Sequence, residues 1–436
     1  MKAATGTTID ALHRATLRRV RRRAFSRSAE RTIGTTYRPR AVPQETRFLH
    51  FRFSVAAVRL PHRERGSVKQ IVLNAAKPSV DRDITPSRDA GRFLALDGLR
   101  GIAAFAVILD HVYSWTLSAW FPGRYLAVDF FFVLSGFVLA HAHGQKLAQG
   151  ALSPSSFMRI RIIRLYPFYV LGLAFGLLLP ILAVLHGWEN ASPLPEIATV
   201  AAFGLLFLPA PKFSWTGDLL YPFNGPSWSL FFELVANLIY GFIARYLTWL
   251  VLGVGLAVMA VLVAVTVLRH DALGPGWVWS HFDAGLSRVI YGFFAGVAVY
   301  KLRGVVKLPA LSAWMSVVVL LVIFAVRAPG ILRHAFDAFA AIVLMPLLVA
   351  VASGAKVSGV AARLCDALGL LSYGVYALHF PMMYLVDFGL KATGVSVPYG
   401  FMNVALVAML TAMIAAVATR FYDAPFRKLL HRTCRS

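Results

Sequence analysis

Cysteine is almost missing from this chain, in which only Cys365 and Cys434 occur among 436 residues. Two isolated cysteines provide no disulfide framework and no metal-binding spacing. Charged residues are also scarce, at 15%, whereas 58% of the residues are hydrophobic, compared with roughly 45–50% in a soluble domain. The composition therefore argues against a soluble enzyme.

Acidic residues are outnumbered by lysine and arginine, 20 to 44, and most of the excess lies near the N-terminus. Residues 1–92 hold 21 Lys and Arg against 7 Asp and Glu and show no helical or strand periodicity, which is typical of a disordered segment. No apolar run follows "RRVRRR", so a cleaved secretory signal is not supported. Nucleic acid and anionic lipid both suit such a segment, but we interpret it as a basic cytoplasmic extension with no nucleic-acid partner.

Apolar segments close to the ~20 residues that cross a bilayer recur from residue 93 onward, which predicts an all-α, polytopic integral membrane protein. The basic loops after residues 300 and 355 lie in the cytoplasm only if the short candidate at 196–210 does not span. We therefore predict about ten transmembrane helices, a possible re-entrant segment at 196–210, and both termini on the cytoplasmic side of the inner (plasma) membrane. The domain expected from this pattern covers 93–430, followed by a short tail, 431–436. The eleven apolar candidates are 96–117, 124–143, 161–186, 196–210, 227–245, 247–268, 284–302, 309–327, 334–352, 368–390 and 400–422.

The first apolar segment, "RGIAAFAVILDH", has Arg100 and His111 at its two ends. Eleven residues are three helical turns, so the two side chains share a face about 16 Å apart along the axis and can line one cavity at different depths. Histidine accepts and returns protons near neutral pH, which makes His111 a candidate general base. Asp110 points about 100° away from His111, so direct pairing is not expected. An interfacial anchor at Arg100 and a helix-end hydrogen bond at His111 are the structural alternatives.

Four further motifs place polar side chains on apolar segments. Arg161 and Arg164 in "RIRIIR" share a helix face, and a guanidinium pair suits phosphate capture, although topology and lipid contact also explain it. Ser229 and Glu233 in "GPSWSLFFE" also share a face, and we expect Glu233 one turn inside the outer membrane surface. The remaining two motifs are "VDFFFVLSGFVL", with Asp129, Ser135 and Gly136, and "LSYGVYALHFP", with Ser372, Tyr376 and His379; close helix packing is the alternative explanation for both.

Together and in this order, these five motifs resemble the acyltransferase 3 family of integral membrane acyltransferases, from about Phe93 to about Leu430. The closing "FYDAPFRKLL", with Asp423, also resembles a family ending. The resemblance implies an O-acyltransferase of roughly ten helices. Its donor would be cytoplasmic acyl-CoA, acetyl-CoA first of all, and its acceptor a hydroxyl of a sugar, cell-envelope polysaccharide, glycolipid or lipid-linked glycan.

The resemblance also implies roles for individual residues, with no metal ion. His111 would be the general base, with Arg100 and Asp110 completing the catalytic group, and Arg161 and Arg164 would contact the phosphates of CoA. The residues expected to bind substrate are Ser135, Trp228, Ser229, Glu233, Tyr373 and His379.

Two other classes of protein are compatible with the sequence. A transporter or exporter would also line a polar path with buried Arg, His and Glu, although no internal repeat is evident. A basic membrane scaffold would act through residues 1–92. Only about 14 residues follow the last apolar segment, so we expect no appended hydrolase-like domain. The protein would then complete the transfer itself or pass an intermediate to a separate envelope acyltransferase.

Overall fold

The computed structural model describes residues 92–112, 120–189, 191–270, 273, 276–395 and 401–433. The extension predicted for residues 1–92 lies outside the described residues apart from Arg92, and residues 434–436 of the predicted tail lie outside them as well. The α-helices of eight or more residues in the described part are α1 Leu94–His111, α2 Ala127–Leu139, α3 Pro154–Leu185, α4 Leu194–Leu205, α5 Ser227–Ile243, α6 Trp249–His270, α7 Phe282–Arg303, α8 Ala313–Ala325, α9 Gly330–Phe339, α10 Met345–Ala352, α11 Gly359–Thr393, α12 Phe401–Ala418 and α13 Ala424–Thr433.

The prediction of an all-α polytopic membrane protein is confirmed. β-Structure in the described residues is limited to one isolated bridge between Leu219 and Val278. Three π turns join neighbouring helices into longer rods, at Ala140–Gly144 after α2, Ala340–Leu344 between α9 and α10, and Thr419–Asp423 between α12 and α13. Eight helical segments in the described part are long and apolar enough to cross a membrane: Arg124–Ala148, Pro154–Leu185, Ser227–Tyr246, Trp249–His270, Trp279–Arg303, Gly330–Ala352, Gly359–Thr393 and Met402–Leu430.

Three other helices differ from these eight in length or charge. α1 has 18 residues but contains three charged ones, Asp97, Arg100 and Asp110. α8 is apolar and has only 13 residues. The segment predicted at 196–210 is the 12-residue helix α4, about 18 Å long, which is well short of the ~30 Å hydrocarbon layer. Ten spans with both termini in the cytoplasm therefore remain a prediction.

Glycines allow the helices around the site to touch backbone to backbone. A Cβ at Gly101 of α1 would lie 2.5 Å from Leu368 Cβ of α11, and one at Gly136 of α2 would lie 1.8 Å from the carbonyl oxygen of Phe293 in α7. Small residues are the usual means of close approach between membrane helices, because the lipid provides no hydrophobic drive for association. Gly136 therefore has the packing role that the sequence allowed for it.

Helices α3 and α5 run antiparallel along their contact. α3 starts at Pro154, after Ser153, whose hydroxyl oxygen accepts a hydrogen bond from Ser156 N at 3.2 Å. Gly241, near the end of α5, packs against Phe157 of the first turn of α3. Chain direction along α5 thus carries residues before Gly241 deeper along α3, which fixes the depth of the polar side chains on both helices.

Candidate active site

A cavity of about 260 Å³ lies among α1, α2, α3, α5 and α11. Its walls combine charged and hydroxyl groups with aliphatic and aromatic side chains. The polar lining residues are Arg100, Ser135, Arg161, Arg164, Ser229, Glu233, Ser372, Tyr373 and Tyr376, and the apolar ones are Val128, Phe131, Phe132, Leu134, Val138, Leu139, Leu165 and Leu230.

Helical spacing explains why several of these residues enter in pairs. Residues three or four apart lie on one helix face, and both members of each such pair line the cavity. Arg161 and Arg164 do so from α3, Ser229 and Glu233 from α5, and Ser372 and Tyr376 from α11. Seven of the eleven predicted catalytic, donor-binding and substrate-binding residues line the cavity: Arg100, Ser135, Arg161, Arg164, Ser229, Glu233 and Tyr373. Ser372 and Tyr376, which also line it, were noted in a motif without a site role.

Arg161, Glu233 and Ser135 form one hydrogen-bonded group. Arg161 Nη2 donates to Glu233 Oε1 at 2.8 Å, and Ser135 Oγ donates to the same oxygen at 2.6 Å. This contact between Glu233 and Arg161 was not predicted from the sequence, and the depth of Glu233 relative to the outer membrane surface remains a prediction. Because α5 runs antiparallel to α3, Glu233 is brought to the depth of Arg161, where the ion pair offsets the cost of holding both charges inside the bundle.

Arg100 connects α1 to α11 while also lining the cavity. Its Nε donates to Ser372 Oγ at 2.9 Å, and its Nη2 donates to the carbonyl oxygen of Gly369 at 2.8 Å. The same Nη2 lies 2.9 Å from Asp97 Oδ1, one turn earlier on α1. Most of the donor capacity of Arg100 is thus used within the protein, and its charge is compensated.

Arg164 differs from the other two arginines of the cavity. Among the described residues it forms no ion pair with a carboxylate; its guanidinium lies 5.8 Å from the centre of the Tyr373 ring. The Tyr373 hydroxyl donates to the carbonyl oxygen of Leu165 at 2.5 Å, which holds that ring in place. With Arg100 and Arg161 each paired to a carboxylate, Arg164 leaves the cavity with a net positive charge.

Tyr376 separates the cavity from a pair of histidines. Its hydroxyl lies 2.6 Å from Ser229 Oγ, its ring packs 5.5 Å from that of Phe131, and both of these partners line the cavity. On the other side, the ring of His379 lies 5.8 Å from the ring of Tyr376. His379 is 1% exposed and is not part of the cavity wall.

His111 contacts His379 at the end of α1. The distance from His111 Nδ1 to His379 Nε2 is 3.3 Å, and the two rings lie 5.0 Å apart. The expectation that Arg100 and His111 line one cavity is correct only for Arg100, because Tyr376 and His379 lie between His111 and the cavity. The shared helix face is nevertheless real, since both side chains point toward α11.

Asp110 and Trp228 lie elsewhere than predicted. Asp110 Oδ1 pairs with Arg124 Nε at 3.2 Å, on the side of α1 away from His111, as the 100° rotation between neighbours predicts. Trp228 is buried outside the cavity wall, where its ring lies 5.8 Å from the guanidinium of Arg288. A position next to Ser229 on a helix faces a different neighbour, which is why Trp228 cannot share the cavity face with it.

Arg288 is the charged residue that the sequence reading missed. It lies within α7, and its Nε and Nη2 donate to the two carboxylate oxygens of Asp129 at 3.0 and 2.7 Å. Both side chains are 4% exposed. An arginine in the middle of an apolar segment is itself a signal of a buried polar contact, so Arg288 was recognisable from "GLSRVIYG".

A polar clip joins the loops that precede α5 and α7. Lys212 Nζ donates to Asp218 Oδ1 at 2.8 Å, and the backbone N–H of Ser280 donates to Asp218 Oδ2 at 2.9 Å. These hydrogen bonds, that from Lys212 first, lower the pKa of Asp218 to about 2. Among the described residues, no group of three or more His, Cys, Asp and Glu side chains is arranged to hold a metal ion.

Fold and site together define an integral membrane protein with a basic, partly apolar cavity near a pair of histidines, of which His379 is buried and His111 partly buried. The chain belongs to the acyltransferase 3 family, whose model, described as an acyltransferase domain, matches residues 93–421. It is therefore a membrane acyltransferase.

Two curated proteins are similar to parts of the chain. "Protein 2 in picA locus" from Rhizobium radiobacter is 44% identical over 161 residues, which cover 34% of this chain and 81% of that protein. BcsY from Komagataeibacter xylinus, a membrane-bound transacylase by its name, is 30% identical over 113 residues, or 26% of each chain. No solved structure matches the chain at a significant level.

Proposed function

We propose that this enzyme moves an acetyl group from cytoplasmic acetyl-CoA to a hydroxyl of a carbohydrate, such as a cell-envelope polysaccharide, glycolipid or lipid-linked glycan. The observation that supports this best is the cavity, which combines an uncompensated arginine with an apolar lining inside a membrane acyltransferase. A phosphate-bearing donor with a small uncharged acyl end matches both halves of that lining.

Cavity size favours a short acyl group. At about 260 Å³ the cavity lies below the ~300–1,000 Å³ of most small-molecule sites, so it can enclose an acyl end with part of the pantetheine arm but not the whole of CoA. The nucleotide and its phosphates would then remain near the arginines of α3. A cytoplasmic donor also requires that the start of α3 face the cytoplasm, which agrees with the positive-inside orientation predicted from "RIRIIR".

The three arginines have different roles in this proposal. Arg100 and Arg161 are neutralised by Asp97 and Glu233, so they shape the cavity and orient hydroxyl groups. Arg164 remains to bind the anionic part of the donor, where a charge-assisted hydrogen bond to phosphate is worth more than a neutral one. Donor binding should therefore depend most on Arg164.

The chemical step is assigned to His111. For this step the acyl end of the donor must extend from the cavity past Tyr376, so that its thioester carbon lies beside His111. The imidazole then takes the proton of the acceptor hydroxyl as the hydroxyl oxygen attacks that carbon. A C–O bond forms, the C–S bond breaks, and the CoA thiolate recovers the proton from the imidazolium. His111 is only partly buried, whereas His379 is fully buried, so the acceptor would approach from the His111 end of α1. The acylated acceptor is released directly or passed to a separate envelope acyltransferase.

The test uses purified protein in lipid nanodiscs with radiolabelled acetyl-CoA, a panel of longer CoA esters, and cell-envelope extract as the source of acceptor. We expect label in a glycan or glycolipid fraction with the wild type, and none with folded His111→Ala. Arg159→Gln is the matched control, because Arg159 is exposed on α3 and outside the cavity. Every CoA ester remaining intact would contradict an acyl-CoA donor, and full transfer by His111→Ala would contradict the general base.

A further inference from the structure

His379 was expected to bind substrate, but it lies outside the cavity wall and contacts the proposed base instead. Its ring is 1% exposed, and it is held between two elements of the site. Nδ1 of His379 lies 2.7 Å from the carbonyl oxygen of Tyr376, and Nε2 lies 3.3 Å from Nδ1 of His111. Nδ1 of His111 also lies 2.9 Å from the carbonyl oxygen of Val107. Both nitrogens of His379 are therefore engaged, while His111 forms hydrogen bonds to described residues through Nδ1 alone.

These contacts determine where the protons lie. A carbonyl oxygen only accepts, so each Nδ1 that meets a carbonyl must be N–H. A neutral imidazole has one N–H, and Nε2 of His379 is consequently a lone-pair acceptor. It accepts from the Nδ1–H of His111, which is shared with Val107. The remaining nitrogen of His111, Nε2, then has the free lone pair that a general base needs.

The described groups around the two histidines are compatible with these proton positions. On α11 the neighbours are Tyr376, whose hydroxyl is occupied by Ser229, and Phe380, whose ring lies 5.3 Å from that of His111. On α1, Asp110 is paired with Arg124. Within the described residues no carboxylate forms an ion pair with either imidazole, so a second histidine occupies the place that a carboxylate has in many catalytic sites. An uncharged partner avoids the cost of a further buried charge.

His379 cannot itself be the base. Its only lone pair faces His111, and its ring is closed off from the cavity and from solvent. We propose that His379 is a positioning residue that holds His111 in the Nδ1–H tautomer, so that Nε2 of His111 faces the acceptor hydroxyl. The inference rests on the proposed role of His111, but the pairing itself is measurable without turnover.

The test compares His379→Leu with His379→Gln. Leucine removes both hydrogen bonds, whereas the glutamine amide can accept from His111 Nδ1–H through its oxygen and donate to Tyr376 through its nitrogen. We expect His379→Leu to lower kcat by about 10- to 100-fold, the range found when a metal-ligating histidine loses its hydrogen-bond partner, with KM for the CoA ester within about twofold. His379→Gln should recover most of kcat. His141→Gln is the matched control, because His141 lies on the π turn after α2, away from the pair.

Solid-state NMR with ¹⁵N-histidine reads the tautomer directly. The His111 signals are identified by their loss in His111→Asn, and we expect a protonated Nδ1 and an unprotonated Nε2 in the wild type and in His379→Gln. In His379→Leu, of the two acceptors of Nδ1–H among the described residues, only the carbonyl oxygen of Val107 is left, so the Nδ1–H tautomer should lose part of its preference and signals of the Nε2–H tautomer should appear beside it. An unchanged tautomer in His379→Leu, or a raised KM with unchanged kcat, would overturn the inference. Full activity of His111→Ala would instead remove the proposed function and leave the NMR result standing.

Discussion

At the Arg100 end of α1, charge is abundant and mostly compensated. Arg100 and Arg161 each lie within 3 Å of a carboxylate, whereas Arg164 has no such partner in the described part of the chain. Eleven residues later, at the His111 end, two imidazole rings contact each other and backbone carbonyls. Ionic groups suit the binding of an anion, whereas neutral groups with one free lone pair suit proton transfer. Helix α1 thus connects the arginine-lined cavity, which is suited to binding the donor, with the histidine pair, which is suited to proton transfer.

The largest effect should come from the histidine end. His111→Ala removes the proton acceptor, and we expect acyl transfer to fall by about 10²- to 10⁴-fold, the range typical of general-base loss. Binding of a non-hydrolysable acyl-CoA analogue, measured by calorimetry in nanodiscs, should stay within about twofold. Loss of analogue binding in the same variant would break the comparison between the two ends.

The buried Asp129–Arg288 pair should come next, in stability rather than in rate. Asp129→Asn removes the carboxylate charge from an ion pair whose two side chains are 4% exposed, so we expect a loss of about 3–5 kcal/mol in the free energy of unfolding. Thermal unfolding in detergent measures it. Asp387→Asn is the control, because its partner Lys391 is 68% exposed and such surface pairs are worth less than about 1 kcal/mol.

A smaller effect is expected at the binding end. Arg164→Gln removes the uncompensated charge of the cavity and should raise KM for acetyl-CoA by about tenfold, in line with one charge-assisted hydrogen bond, while kcat changes less. Steady-state kinetics with varied donor measures both values, with Arg159→Gln as the control. A fall in kcat at unchanged KM would mean that Arg164 acts on the reaction and not on binding.

The smallest effect is expected at the polar clip of Lys212, Asp218 and Ser280, which lies at neither the Arg100 end nor the His111 end of α1. Because the pKa of Asp218 is lowered to about 2 from 3.8, its contribution to stability is present above about pH 4 and is lost as the pH falls toward 2. The melting temperatures of wild type and Asp218→Asn should therefore differ slightly at pH 6 and converge near pH 2. Activity at neutral pH should be unchanged; a strong loss would place the clip in the acceptor path.

The spacing of residues within one helix predicted which side chains share a face of the site. Contacts between different helices could not be predicted from that spacing. The shared faces of Arg161 with Arg164 and of Ser229 with Glu233 follow from 3.6 residues per turn. The Arg161–Glu233 contact joins positions 72 residues apart, and it depends on the relative depth of α3 and α5, which no local pattern specifies. Helical spacing also shows that Trp228 cannot share a face with the adjacent Ser229, but its contact with Arg288, 60 residues later on α7, could not be predicted from spacing. His379 was found by its motif, but its partner could be identified only from the packing of α11 on α1.

The close contact at Gly136 has a consequence for redesign. One face of α2 meets the α7 backbone so tightly that even a methyl group is excluded, and Asp129 lies on that face with its partner Arg288. The other face, which includes Leu134 and Val138, forms part of the cavity wall. The face with Gly136 and Asp129 fixes the position of α2 against α7. The face with Leu134 and Val138 can vary in side-chain volume. Substitutions at Leu134 and Val138 are therefore the route by which the acyl-length preference can be retuned without rebuilding the scaffold.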